Sequence, residues 1–361
     1  MPKLYQIHLR QFMKQNSYNN TFNSLRQFPI EFLDYLETLN FQYLWLMGIW
    51  QLPVNRLQRD FSLQSFLKEK YSQINPNWKQ EDIISSVFAI ENYTIDQNLG
   101  TIEDYLFLKN EANKRGVKII LDFIPNHFGY YSTLTTTNPE LFLKQDDILQ
   151  NGKDPNYPAW VDTAQVDYSK ELTREFMIKQ LIGISELCDG VRIDMAMLTL
   201  NSVFERTWGF KINFESEFWS EALNIAKNNN KDFITIGECY WDLETQLLDL
   251  GFDYVYYKPF LDSLINIPPE NPNSEIQNNL NPNKLVYFLE NHDEKRSASI
   301  WDLEILKTKI DALIQTTGLQ LYYHGQLIGN QNHSPIQLIN VPPENPNSEI
   351  QNYYLEKLTN I

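Results

Sequence analysis

The residues able to do chemistry gather in four short segments: LDFIPNH (Leu121 to His127), GVRIDMAM (Gly190 to Met197), FITIGECYW (Phe233 to Trp241) and LVYFLENHDE (Leu285 to Glu294). Asp194 stands two residues after Arg192, so on a strand both side chains face one way and the guanidinium favours the anionic carboxylate. An aspartate placed like this can act as a nucleophile. Glu238 has Ile236, Tyr240 and Trp241 as neighbours, and apolar surroundings keep a carboxyl protonated. That is the disposition of a general acid. Asp293 beside His292 supplies a third carboxylate, and Asp122 and His127 add a further acid and imidazole. The competing readings are a buried ion pair for Arg192 and Asp194, a solvated strand end for Glu238, and a zinc site made of His127 and His292.

Each segment is an apolar run that stops where the polar residues begin, the pattern of a buried strand entering a loop. Strand-like runs are expected at Leu4 to His8, Tyr43 to Met47, Val117 to Phe123, Cys188 to Asp194, Phe233 to Glu238, Phe252 to Tyr256, Leu285 to Leu289 and Leu319 to Tyr323. Helical patterns at Pro29 to Leu39, Thr101 to Arg115, Lys170 to Leu187, Glu217 to Asn228, Trp301 to Thr316 and Ile350 to Leu358 separate most of them. Eight strands alternating with helices predict an α/β fold, a (β/α)8 TIM barrel with its polar strand ends collected at the carboxyl-terminal rim. The connections Pro53 to Gly100 and Phe128 to Ser169 leave from that rim and are longer than crossovers require. They read as cleft walls, residues 128–169 forming a small insertion after strand three of a barrel that takes in residues 1–361.

A formal charge of -16 argues against DNA, RNA or an anionic membrane surface as partner. No run approaches the ~18 apolar residues of a membrane span. The strand-like amino terminus MPKLYQIHLRQF lacks the pattern of a secretion signal, so a cytoplasmic location is expected. Cys188 lies six residues before Asp194, about 20 Å below the rim at strand spacing, whereas Cys239 follows Glu238 at the rim. Both are expected as free thiols, since a disulfide needs Cα atoms within ~7 Å. The stretch LINIPPENPNSEIQN (Leu264 to Asn278) recurs 74 residues later as LINVPPENPNSEIQN (Leu338 to Asn352). Its Pro and Asn content predicts extended surface chain in both copies.

The four segments resemble the four sequence regions of glycoside hydrolase family 13, the alpha-amylase family. Asp122, Asn126 and His127 match the first, Arg192 and Asp194 the second, Glu238 the third, and His292 with Asp293 the fourth; LWLMGIW and TGLQLYYHGQ resemble the second-strand and eighth-strand segments. The resemblance implies a retaining α-glycosidase acting on α-glucans or maltooligosaccharides through a covalent glycosyl-enzyme. Asp194 would be the nucleophile, Glu238 the acid and base, and Asp293 the transition-state stabiliser, with the first two carboxyls about 5 to 5.5 Å apart. Arg192, His127, His292, Phe88, Asp122 and Trp241 would line the substrate site, Asp122 by orienting Arg192. A 4-α-glucanotransferase on the same site, or a carbohydrate-binding barrel without turnover, are the alternatives.

Aromatic residues at 14% of the chain would serve such a cleft, because pyranose faces pack on flat rings. Three departures from the family pattern stand out. Phe88, in SVFAIENY, takes the place of a tyrosine that stacks on the sugar at the cleavage subsite, so the hydroxyl is lost. Asn126 resembles a ligand of structural calcium in many relatives, yet residues 128–169 offer no clear oxygen cage. No cofactor is otherwise implied. The chain ends at Ile361, where most relatives continue into an antiparallel β domain.

Overall fold

The structure, a computed structural model, describes residues 1–16, 22–266 and 280–359. Strands β1 (Lys3–His8), β2 (Tyr43–Met47), β3 (Lys118–Phe123), β4 (Gly190–Ile193), β5 (Ile234–Gly237), β6 (Tyr254–Tyr256), β7 (Leu285–Phe288) and β8 (Leu319–Tyr323) pair in sequence order, all parallel. Strand β8 returns to β1 and closes the barrel. Helices α1 (Ile30–Thr38), α2 (Ile102–Asn113), α3 (Glu171–Leu187), α4 (Phe218–Asn229), α5 (Glu244–Asp249), α6 (Lys258–Asn266), α7 (Leu303–Ile314) and α8 (Ser348–Thr359) follow the eight strands in turn. The expected (β/α)8 barrel is therefore the observed one. Helices α5 and α6, of six and nine residues, are absent from the expectation; α5 is under two turns, too short to show a helical period in the sequence.

Period-two alternation divides the core. Leu4, Trp45, Ile120, Ile236, Val286, Phe288 and Leu321 fill the barrel, while Leu44, Leu46, Ile119, Leu121, Val191, Ile193 and Leu285 face the helices. Each such aliphatic side chain withdrawn from water contributes about 1.5–3 kcal/mol. At Gly190 the strands approach so closely that a Cβ would lie 2.5 Å from the Ile234 carbonyl oxygen, so β4 opens on glycine. Helix α2 starts at a reciprocal cap: the Asp104 amide donates to Thr101 Oγ1 at 3.3 Å, and the Thr101 amide to Asp104 Oδ2 at 3.1 Å.

Most strands are shorter than expected, and the difference has a use. Strands β4 and β5 stop at Ile193 and Gly237, so Asp194 and Glu238 each stand one residue past the ladder, over the barrel mouth. The two long connections rise around that mouth. Residues after β2 form helices Arg56–Asp60 and Ser65–Ile74 before the turn bearing Phe88. After β3, His127–Gly129 pairs antiparallel with Thr163–Gln165, and Lys144–Gln145 with Ile148–Leu149. The Gly129 amide donates to the Ile90 carbonyl at 2.8 Å, tying one wall to the other.

Cys188 and Cys239 are both buried and unbridged, as expected. The repeated segment behaves differently in its two places. Leu264–Asn266 ends helix α6, whereas its counterpart Leu338–Asn340 is non-helical, Leu338 forming a bridge to Ile83. Residues 267–278 lie outside the described residues, and the second copy turns helical from Ser348. The expectation of extended chain throughout both copies is corrected accordingly. Among the described residues no helix is long and apolar enough to cross a membrane.

Candidate active site

Arg192 is the hub. Rising from β4 into the barrel, it is fully buried, with its guanidinium carbon 5.0 Å from the Trp45 ring centre, 5.4 Å from Phe88 and 5.7 Å from Tyr256. Nη1 donates to Asp194 Oδ1 at 2.5 Å, and Nη2 lies 2.7 Å from Glu238 Oε2 in an ion pair whose N–H points off the oxygen. Burial alone would lower the guanidinium pKa, but Glu238, Tyr256, Asp194 and Asp122 outweigh it and hold the group well above its ordinary value. One cation serves several carboxylates. Each of them receives only a share of its charge.

Glu238 shows the result. Burial raises its carboxyl to about 7, Arg192 opposes, and the nearby charges of Asp194 and Asp293 push the same way as burial. Its oxygens are held by the Met195 amide, which donates to Oε2 at 2.7 Å, and by the Tyr240 hydroxyl, which donates to Oε1 at 2.9 Å. Met195 presents that amide from a left-handed backbone conformation, φ 43°. The sequence marked Tyr240 only as an apolar neighbour of Glu238; its polar end is what reaches the acid.

Asp293 follows His292 in the turn after β7. Its side chain is recessed but unsealed, 52% exposed toward the opening, and the surrounding protein still raises its carboxyl while Arg192 lowers it. His292 Nε2 lies 3.2 Å from Asp293 Oδ2, and His292 Nδ1 lies 2.7 Å from the Gln6 amide nitrogen. With Gln6 donating to Nδ1, the imidazole proton sits on Nε2 and points at Asp293. Burial holds His292 well below its ordinary pKa, so the ring is neutral. His127 is likewise buried and lowered, 5.3 Å from the Trp160 ring, and within the field of Asp194. Phe88 lies 5.3 Å from the His292 ring, walling the same space. Trp241 stands further out, where Tyr157, Met195, Tyr240 and Lys258 line a 430 Å³ recess beside Glu238.

Two assignments change. Asp122 does not touch Arg192: its carboxylate accepts from the Trp45 indole at 2.9 Å and the Gly48 amide at 2.8 Å, and it is raised to about 6 by burial, with Arg192 acting on it only through its field. It fixes Trp45, which in turn faces the guanidinium. Asn126 does not fit a calcium ligand. Its side-chain oxygen, its carbonyl and the Val166 carbonyl each accept from the Gln165 amide nitrogen at 3.0 Å, so an N–H donor stands where a cation would. Among the described residues no three His, Cys, Asp or Glu side chains are placed to hold a metal, which leaves the two histidines without the partners a zinc site needs. Gln6, Trp45 and Tyr256 join the site without having been read as part of it. Inward alternation of β1, β2 and β6 was the available signal.

The rim of this eight-stranded parallel barrel thus carries three carboxylates around one buried arginine. The model of the alpha amylase catalytic domain matches residues 6–163. Neopullulanase 2 of Thermoactinomyces vulgaris is 26% identical over 65% of this chain and 42% of its own length, and alpha-amylase 3 of Dictyoglomus thermophilum 22% identical over 90% of this chain and 65% of its own. A maltogenic alpha-amylase from Thermotoga neapolitana superposes with a TM-score of 0.70 at 22% identity, over 99% of this chain and 75% of that one. The chain is thus similar, over residues 6–163, to the alpha amylase catalytic domain, and over more of its length to proteins named amylases and neopullulanase. It spans about half the length of the curated relatives it matches.

Proposed function

We propose that the protein is a retaining α-glycosidase acting on α-glucans or maltooligosaccharides. The observation that carries this reading is the gripping of Asp194 and Glu238 by the two terminal nitrogens of one guanidinium, which keeps the carboxyls close together. Double displacement needs such a close pair, since a wide gap between carboxyls is what admits a water in the inverting reaction. Asp194 Oδ1 is held by Arg192, and among the described residues no hydrogen bond engages Oδ2, the atom that would attack the anomeric carbon. As that bond forms, the bond to the leaving oxygen breaks and Glu238 delivers its proton there. Glu238 then takes a proton from water as the oxygen of that water displaces Asp194. Asp293 and the Nε2–H of His292 would bind sugar hydroxyls, gaining strength as positive charge develops on the ring.

Proton NMR of maltoheptaose digests tests this. Products released in the α configuration are expected; β products at first release, or untouched maltoheptaose, would overturn the reading. Chains longer than the substrate would show that a sugar, rather than water, accepts the glycosyl group. The pH profile gives a second check. Glu238 is protonated below about 7, so turnover is expected to fall as pH rises through that value, and full activity maintained to pH 9 would remove Glu238 as the acid.

A further inference from the structure

We propose that Tyr240 is a positioning residue for the acid, settling the transferable proton on Oε1 of Glu238. The inference rests on the function proposed above. Oε2 of Glu238 accepts from the Met195 N–H at 2.7 Å and lies 2.7 Å from the positive charge of Arg192, and an oxygen that already accepts a hydrogen bond beside a cation is a poor seat for a further hydrogen. The proton belongs on Oε1. There the only side-chain neighbour within hydrogen-bond distance, among the described residues, is the Tyr240 hydroxyl at 2.9 Å.

A phenol can serve both forms of the acid. It donates to the carboxylate, and by rotating its hydrogen it accepts from the carboxylic acid. Burial holds Tyr240 well above the ordinary phenol range, so it orients the proton without giving up its own. The ring reaches this place because the chain doubles back just after it, through left-handed conformations at Trp241 (φ 65°) and Asp242 (φ 60°). Such conformations are uncommon at non-glycine residues and cluster at functional sites.

The other groups facing Glu238 are Arg192 and Asp194 at the end of β4, Asp293 after β7, Tyr256 on β6 and Cys239 next in the chain. Tyr240→Phe leaves all of them in place and keeps the ring. On maltooligosaccharides kcat is expected to fall roughly 10-fold, a part of what acid catalysis supplies. On a nitrophenyl α-glycoside, whose leaving group needs little protonation, the loss should nearly vanish. Removing a donor to the charged form also moves the midpoint of Glu238 upward, because charge-assisted bonds are the stronger kind. Carbon-13 NMR of the labelled carboxyl, assigned by its disappearance in Glu238→Gln, reads that midpoint without turnover. An unmoved midpoint together with equal losses on both substrates would reduce Tyr240 to packing. If the wild type cleaved no α-glycoside, the function would fail, and the NMR midpoint alone would decide the role of Tyr240.

Discussion

Asp194→Asn is expected to lower turnover by on the order of 10⁴ or more while leaving the barrel folded. The substitution keeps the shape of the side chain and removes the one oxygen anion able to bond the anomeric carbon. It does not orphan Arg192, which retains Glu238 at 2.7 Å. It also removes one negative charge from a crowd of carboxylates that share a single cation. The charge of Asp194 helps to hold Glu238 near 7, so the Glu238 midpoint should drop in the variant. Circular dichroism and a urea titration check the fold, and single-turnover kinetics check the chemistry. A variant that fails to fold would return Arg192 and Asp194 to the structural ion-pair reading, and one that keeps more than about a hundredth of wild-type turnover would take the nucleophile's role from Asp194.

Arg192→Met should do the opposite, striking stability first. Removing one partner of a buried ion pair costs about 3–5 kcal/mol because the other is left charged and dry. Here Asp194 and Glu238 both lose their direct partner, and Asp122 and Asp293 lose its field. The loss should depend on pH, and its sign follows from proton uptake. Glu238 rises from the ordinary 4.5 to about 7 in the folded protein, so between those values the folded state holds more protons than the unfolded one. Stability from such a group is present at the acid side and is lost as pH rises through about 7. Without the guanidinium to oppose burial, the folded-state midpoints climb further and the dependence steepens. Urea unfolding should therefore show a large deficit at pH 8 that shrinks markedly by pH 5.5. Equal deficits at both values would mean that Arg192 supports the barrel by packing alone.

The strands were legible because each is an apolar run ended by polar residues, and burial on both faces of a parallel sheet leaves little else a strand could be. The carboxylates and Arg192 were legible for the same reason, standing where those runs stop. What stayed hidden depends on relations between strands. Asp122 and Arg192 occupy paired positions on β3 and β4, yet Asp122 turns toward β2, where Trp45 and Gly48 offer donors. Nothing in the residues near Asp122 announces that choice. Gln6 was invisible because its partner, His292, is 286 residues away in sequence. The hydroxyl of Tyr240 was misjudged because its direction is set by a left-handed turn built on Trp241 and Asp242, without the glycine that would have signalled it.

The recurring fifteen-residue stretch has a consequence for the architecture as a whole. Its copies begin 74 residues apart, and between them lie β7, the His292 and Asp293 turn, α7 and β8. A polypeptide shortened by that interval would read through the junction without interruption, since the two ends are interchangeable in all but Ile267 and Val341. It would nonetheless possess six staves instead of eight, leaving β6 and β1 with no neighbour to bridge them. The duplication thus brackets a cassette that is seamless to excise as text and indispensable as a solid object.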